Sequence, residues 1–388
     1  MCAYYRLLLV IVTCLGLHTP SKGRIRMEVK INGQSAVLAL DTGAERTCLL
    51  NTGAKRLGLR FEPPPSNARA APGRVLPGLT DECDIEMGPT TERSRLPVVA
   101  IPGYIKADTD GFLGWDVLRQ IVVVIDGPSQ KASIRDQLPP AVSQWPSWKI
   151  ASNASFLIVE VKIAALQDGP GTMMIDTGAA DGVKLGSHLW QQWGAAHPDQ
   201  AATLSAGFYP GAGLIVTEER WAHTLVLGRL TLHDVPIGDY GALVQRAPIA
   251  VRTATLGLEA LRRITLWIDG QNNKVYLKSH APPRAPNSYA YNRLGAVFVP
   301  NLEKGNELLA HVVSGSPAHR AGIRADDVLL RIDDLDATKW RTDPRVLPLS
   351  RFWSQPAGTT LHLGLQRGDR LLNIAVTLED IFPTHLGK

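Results

Sequence analysis

The sequence predicts a mainly β protein in which two tandem β lobes share one chain and a small α+β domain follows them. Three observations predict it. Asp-Thr-Gly-Ala occurs twice, at Asp41-Thr42-Gly43-Ala44 and at Asp176-Thr177-Gly178-Ala179, each time closing a strand-like apolar run. The segments around the two copies recur in one order, which is the signature of a duplicated unit. The chain also carries 35 Gly and 27 Pro, a supply of turns that suits many short strands.

The repeat has four blocks. MEVKINGQSAVLALDTGA (from Met27) answers LIVEVKIAALQDGPGTMMIDTGA (from Leu157), both read as hairpins ending in the motif. Next, the stretch from Cys83 answers the stretch from His223, each a strand, a Gly turn and a second strand. GFLGWDVL (from Gly111) then answers ATLGLEAL (from Ala254), and VVVIDGPSQKASI (from Val122) answers ITLWIDGQNNKVYL (from Ile264). The offset grows from 132 residues (Val29 to Val161) to 135 (Asp41 to Asp176) and then to 143 (Gly114 to Gly257, Asp126 to Asp269). Such drift is what loop insertions leave behind, because surface loops tolerate length changes and strands do not.

On these residues each half resembles the lobe of the retropepsin-like aspartyl proteases: an Asp-Thr-Gly-Ala loop, a flap region, and an apolar-apolar-Gly brace, here Phe112-Leu113-Gly114 and Thr255-Leu256-Gly257. The resemblance implies a bilobal pepsin/retropepsin-like acid protease fold, with both lobes in one chain and a monomer as the working form. Lobe 1 is placed at 24–138, a linker at 139–148, and lobe 2 at 149–279. A Pro-rich linker at 280–289 leads to residues 290–384, which resemble a bacterial, circularly permuted PDZ domain through Gly315-Ser316-Pro317-Ala318, Ala321-Gly322-Ile323 and Asp327-Val328-Leu329-Leu330. In that family the loop Arg293-Leu294-Gly295-Ala296 would offer backbone N–H groups to a peptide's terminal carboxylate.

The chemistry implied is peptide hydrolysis by an Asp41/Asp176 dyad. Water has to be made nucleophilic and the leaving nitrogen protonated, and two carboxylates about 3 Å apart can do both because they cannot ionise together and so share a proton. Gly43 and Gly178 let the backbone pass close to the carboxylates. By resemblance, Thr42 and Thr177 reach across to the opposite lobe. Ala44 and Ala179 stand where pepsin-type enzymes have a hydroxyl that favours the charged carboxylate, which predicts an optimum in the weakly acidic to near-neutral range. Two residues past the motif's Ala the halves differ, Arg46-Thr47 in one and Asp181-Gly182 in the other, and Trp115 and Leu258 replace the Arg of the retroviral brace. Flaps are placed at 68–80 and 206–216, with Phe208 and Tyr209 as pocket caps.

Other readings follow from composition and from the ends of the chain. Residues 1–23 read as a secretory signal, with an apolar stretch from Leu7 to Leu17 too short to span a bilayer. This predicts a secreted or periplasmic protein with no integral membrane segment after signal removal. Lipid anchoring through Cys14 is the alternative, although Thr13 departs from the small residue such signals use. Outside that segment only Cys48 and Cys83 remain, read either as one disulfide or as two buried thiols. A formal charge of +5 without a basic, aromatic-interleaved run argues against nucleic-acid binding. No His or Cys spacing suggests a metal, and the mechanism calls for no cofactor. Polypeptides are the expected substrates, and peptide C-termini the expected partners of the PDZ-like domain. The alternative is a pseudoprotease that binds peptides through that domain, and retention of both aspartates argues against it.

Overall fold

The computed structural model describes residues 24–63, 78–88, 90–100, 108–152, 154–162, 171–209, 213–239, 253–281, 289–300 and 307–382. The architecture is mainly β. In chain order the first strands are β1 (Arg26–Ile31), β2 (Gln34–Leu40), β3 (Cys48–Leu50), β4 (Phe61–Glu62), β5 (Gly78–Met87), β6 (Thr90–Val99), β7 (Gly111–Leu113), β8 (Val122–Asp126) and β9 (Lys131–Arg135). They are followed by β10 (Ser147–Lys149), β11 (Ile158–Val161), β12 (Gly171–Ile175), β13 (Val183–Leu185), β14 (Ala202–Tyr209), β15 (Gly213–Leu227), β16 (Leu230–Asp239), β17 (Ala254–Leu256), β18 (Ile264–Asp269) and β19 (Lys274–Ser279).

Two seven-stranded sheets run in matching order. The first is β1-β2-β7-β3-β6-β5-β4 and the second is β11-β12-β17-β13-β16-β15-β14, so the first three repeat blocks lie on equivalent strands of the two sheets, and the fourth forms β8–β9 and β18–β19 outside them. In both, the strand that carries the Asp-Thr-Gly-Ala loop lies parallel to the brace strand, with Leu40 opposite Leu113 and Ile175 opposite Leu256. A third sheet, β10-β19-β18-β8-β9, joins the halves. Its central pair β8–β18 is antiparallel and sets Val124 opposite Trp267, two residues separated by the same 143-residue offset as the repeat. A local twofold relation therefore passes through that pair. The connector read at 139–148 is not free of structure, since Ser147 and Trp148 begin β10 and pair with Tyr276 and Val275 of β19.

One hydrophobic core runs through all three sheets and includes Leu38, Leu40, Ile85, Leu113, Val123, Ile125, Ile175, Leu256, Leu266 and Ile268. Alternation supplies it: in β1 the inward Val29 and Ile31 are buried, whereas Glu28 and Lys30 are not. Burying each such aliphatic side chain is worth about 1.5–3 kcal/mol. Short helices cap the sheets, namely α1 (Asn51–Arg56), α2 (Trp115–Leu118), α3 (Ser187–Ala196) and α4 (Leu258–Leu261).

The C-terminal unit has its own sheet and core. Strands β20 (Ala296–Pro300), β21 (Leu308–Val312), β22 (Val328–Ile332), β23 (Leu335–Asp336), β24 (Thr360–Arg367) and β25 (Arg370–Thr377) are arranged as β20-β21-β22-β24-β25, with β23 paired to β22. Helices α5 (Pro317–Arg320) and α6 (Ser350–Trp353) pack with them. Leu294, Phe298, Leu308, Leu329, Ile332, Trp353, Leu363 and Val376 fill this second core. Among the described residues no helix is long and apolar enough to cross a membrane.

The Cys48–Cys83 disulfide is a correction. Both residues are free, buried thiols. They lie on β3 and β5 with β6 between them. Two strand spacings amount to about 9.6 Å, beyond the Cα separation a disulfide spans.

Candidate active site

Both Asp-Thr-Gly-Ala loops are pinned by backbone bonds before any side chain acts. Asp41 N–H donates to Leu113 O at 3.0 Å and Asp176 N–H to Leu256 O at 2.8 Å. The helices that follow the braces reach back to the loops, Trp115 N–H to Ala44 O and Leu258 N–H to Ala179 O, both at 2.8 Å. This is why apolar-apolar-Gly must follow at a fixed place in each half. It supplies the carbonyl that receives the aspartate and the turn that closes under it.

The two loops meet through their threonines, which are fully buried. Thr42 N–H donates to Thr177 Oγ1 at 3.0 Å, and Thr177 N–H donates to Thr42 Oγ1 at 3.1 Å. Each hydroxyl passes its own proton on across the interface, from Thr42 to Ile175 O at 2.6 Å and from Thr177 to Leu40 O at 2.8 Å. Four mutual bonds lock one loop against the other.

That lock sets the aspartates against each other. Gly43 N–H donates to Asp41 Oδ1 and Gly178 N–H to Asp176 Oδ1, both at 2.9 Å, and Ala179 N–H adds a bond to Asp176 Oδ1 at 3.1 Å. A Cβ on Gly43 would collide with the Asp176 carboxylate, and one on Gly178 would collide with that of Asp41. Each glycine thus touches both carboxylates, so side chains 135 residues apart lie together. Both aspartates are nearly closed to solvent.

The halves differ in how they support this centre. Thr47 Oγ1 accepts from Gly114 N–H at 3.0 Å and donates to Asp116 Oδ1 at 2.9 Å, while Thr47 N–H donates to the same oxygen at 2.8 Å. In the second half Gly182 O accepts from Gly257 N–H at 2.8 Å instead. Glu259, the positional partner of Asp116, is buried and paired with Arg263 at 3.2 Å and Arg262 at 3.4 Å. Burial raises the Glu259 carboxyl, and the two arginines oppose that shift. Asp116 and Glu259 were not singled out in the sequence, yet they hold the same place in the third repeat block.

A second buried network leads away from the centre. Lys184, on β13, is 4% exposed and donates to Thr217 Oγ1 at 3.0 Å, with Asp181 Oδ2 at 3.7 Å. Two residues along β15 from Thr217, Glu219 accepts from the Tyr289 hydroxyl. Burial pushes the Glu219 carboxyl up to about 7, against the pull of Lys184 and the Tyr289 bond. Folding therefore gains from the protonated form. That contribution is complete below about 4.5 and is lost as pH rises through about 7, on the order of 3 kcal/mol in all. Glu219→Gln, neutral at every pH, is expected to flatten the fall of the thermal midpoint between about pH 4.5 and pH 7. An unchanged slope would refute this assignment.

The remaining predicted residues are placed as follows. Of the first flap segment, 68–77 lie outside the described residues. In the second, Phe208 pairs with Leu214 and Tyr209 with Gly213 at the end of the β14–β15 hairpin, which fixes the backbone positions only. In the loop at 293–296, Arg293 N–H donates to Trp353 O at 2.8 Å, and Leu294 and Gly295 N–H both donate to Asn292 Oδ1, at 2.9 and 3.2 Å. Three of the loop's four N–H groups are thus engaged within the chain. The signal segment 1–23, with Cys14, also lies outside the described residues. Among the described residues no cluster of three or more His, Cys, Asp or Glu side chains could hold a metal ion.

The family model described as gag-polyprotein putative aspartyl protease matches residues 27–120, the stretch that contains the first Asp-Thr-Gly-Ala loop and its brace. No curated protein matches the chain. The mainly β architecture is of the aspartyl-protease-like kind, and residues 27–120 are similar to a retropepsin-like protease domain.

Proposed function

We propose that the protein is an aspartic endopeptidase that hydrolyses extended polypeptides with Asp41, Asp176 and one activated water. The observation that carries the reading is the cross-bonded Thr42/Thr177 pair, which holds two buried carboxylates in contact through Gly43 and Gly178. Two charges cannot both persist there, so the pair holds one proton between them. The ionised member takes a proton from water as its oxygen attacks the scissile carbonyl carbon, and the protonated member hydrogen-bonds the carbonyl oxygen. Proton delivery to the nitrogen then lets the C–N bond break, with no covalent intermediate. Which aspartate plays base is a property of the pair and of the bound substrate.

In this reading 24–138 and 149–279 are the two catalytic lobes, and the chain acts as a monomer after leaving a signal at 1–23 for a secreted or periplasmic location. Residues 290–384 form a PDZ-like domain that recruits substrates or regulates access. The matching strand orders and the separate C-terminal core support that division. The test is cleavage of a diverse peptide mixture, blocked by a statine-type inhibitor. Because neither Ala44 nor Ala179 can donate a side-chain hydrogen bond to the dyad, the rate is expected to peak in the weakly acidic to near-neutral range, and a maximum near pH 2 would contradict that. No cleavage of any peptide would favour the pseudoprotease.

A further inference from the structure

The C-terminal unit is fastened to the second sheet's edge hairpin, and Asn292 is the fastening. Its side-chain oxygen accepts from Leu294 and Gly295 N–H. Its Nδ2 donates to Ala296 O at 2.8 Å and, across the boundary, to Leu204 O on β14 at 2.9 Å. Its backbone oxygen accepts from Thr203 Oγ1 at 2.6 Å. Asn292 is 6% exposed and every polar group of its carboxamide is used.

The surfaces around it continue the contact. Along β20, Ala296 and Phe298 point into the C-terminal core, while Val297 and Val299 pack on Ala206, Leu204, Leu214 and Val216 of the hairpin. Further along, Trp221 of β15 packs with Tyr289, Tyr291 and Phe382, and Tyr289 bonds Glu219. Through Thr217, Lys184 and Asp181 that strand is tied to the loop that carries Asp176.

We propose that Asn292 is a built-in occupant of the 293–296 loop, so that a peptide's free carboxylate competes with it for the Leu294 and Gly295 donors, and capture of a peptide loosens the β14–β15 hairpin. This rests on the PDZ-like reading of the C-terminal unit. A carboxylate needs donors of the kind Asn292 now holds, and withdrawing Asn292 Oδ1 also moves the Nδ2 that holds Leu204 O. Binding and release are therefore linked by one side chain, in both directions. No bond is made or broken covalently.

The test uses the full-length chain and fluorescent pentapeptides ending in Val, Leu, Ala or Phe, each as free acid and as C-terminal amide. Asn292→Gly vacates the loop and is expected to bind a free-acid peptide at least about tenfold tighter than wild type, with the amides weak on both. Saturating wild type with that peptide is expected to speed amide exchange across 202–207 and 214–221, whereas the amide leaves it unchanged. Asn292→Asp keeps the acceptor for the loop but loses the donor to Leu204 O, so it should loosen the same amides without any peptide. That arm stands even if the glycine variant fails to fold. Equal affinity of wild type and Asn292→Gly, or binding without faster hairpin exchange, would overturn the proposal. If no free-acid peptide binds a folded Asn292→Gly, the PDZ-like reading falls with it. Proteolysis enters none of these readouts, so an inactive dyad would be recognised separately.

Discussion

Asp41→Asn and Asp176→Asn, made singly, are each expected to abolish peptide cleavage, with a loss of kcat/KM of about 10²–10⁴ or more. The asparagine keeps the size of the side chain and its bond from Gly43 or Gly178 N–H, so the loops should stay in place while the shared proton disappears. Protein that is folded by circular dichroism but inactive on the peptide mixture is the supporting result. Retained cleavage in one variant would show that the two positions do not act as a pair in one chain and would favour a dimer built from one working half of each copy.

Removing a threonine hydroxyl from the lock should have the next largest effect. In Thr42→Val the Thr177 N–H loses its acceptor and Ile175 O loses its donor, in a place closed to water. At about 1–3 kcal/mol for each stranded group, the loss of stability is about 2–6 kcal/mol, and Thr177→Val should match it through Thr42 N–H and Leu40 O. The two side chains have only the long Oγ1–Oγ1 contact at 3.4 Å in common, so the double variant should cost close to the sum of the single ones. Activity is expected to fall by about a hundredfold even where folding survives, because a 1 Å displacement of a reacting group costs that much. Serine at either position keeps the hydroxyl and should restore most of both. Denaturant unfolding and initial rates check this, and a loss below about 1 kcal/mol in either single variant would argue against the lock.

Much of this centre was legible because its chemistry is local. Asp-Thr-Gly-Ala fixes which residues stand at the loop, and the third repeat block fixes which carbonyls and turns sit beneath it. The mainly β class followed from the duplicated strand-like runs and from the supply of Gly and Pro turns. The thiols were not legible, because strand order across a sheet is decided by the whole fold, and β6 intrudes between Cys48 and Cys83. Nor was β10 visible, since Ser147–Lys149 is too short to show alternation and pairs only because β19 presents an edge. Asn292, Lys184 and Glu219 stand in ordinary surroundings in the sequence. Only when β14, β15 and the C-terminal unit meet do they become a buried chain of polar contacts.

The joint sheet has a bearing on how such a chain can change. Strand β8 shields the flank of β18 and is shielded in return, so severing the polypeptide between the halves would bare two sticky margins, not release two independent modules. Each half can therefore drift in loop length, helper residues and accessory attachments, as Thr47 and Glu259 already illustrate, while the seam through Val124 and Trp267 keeps them partners.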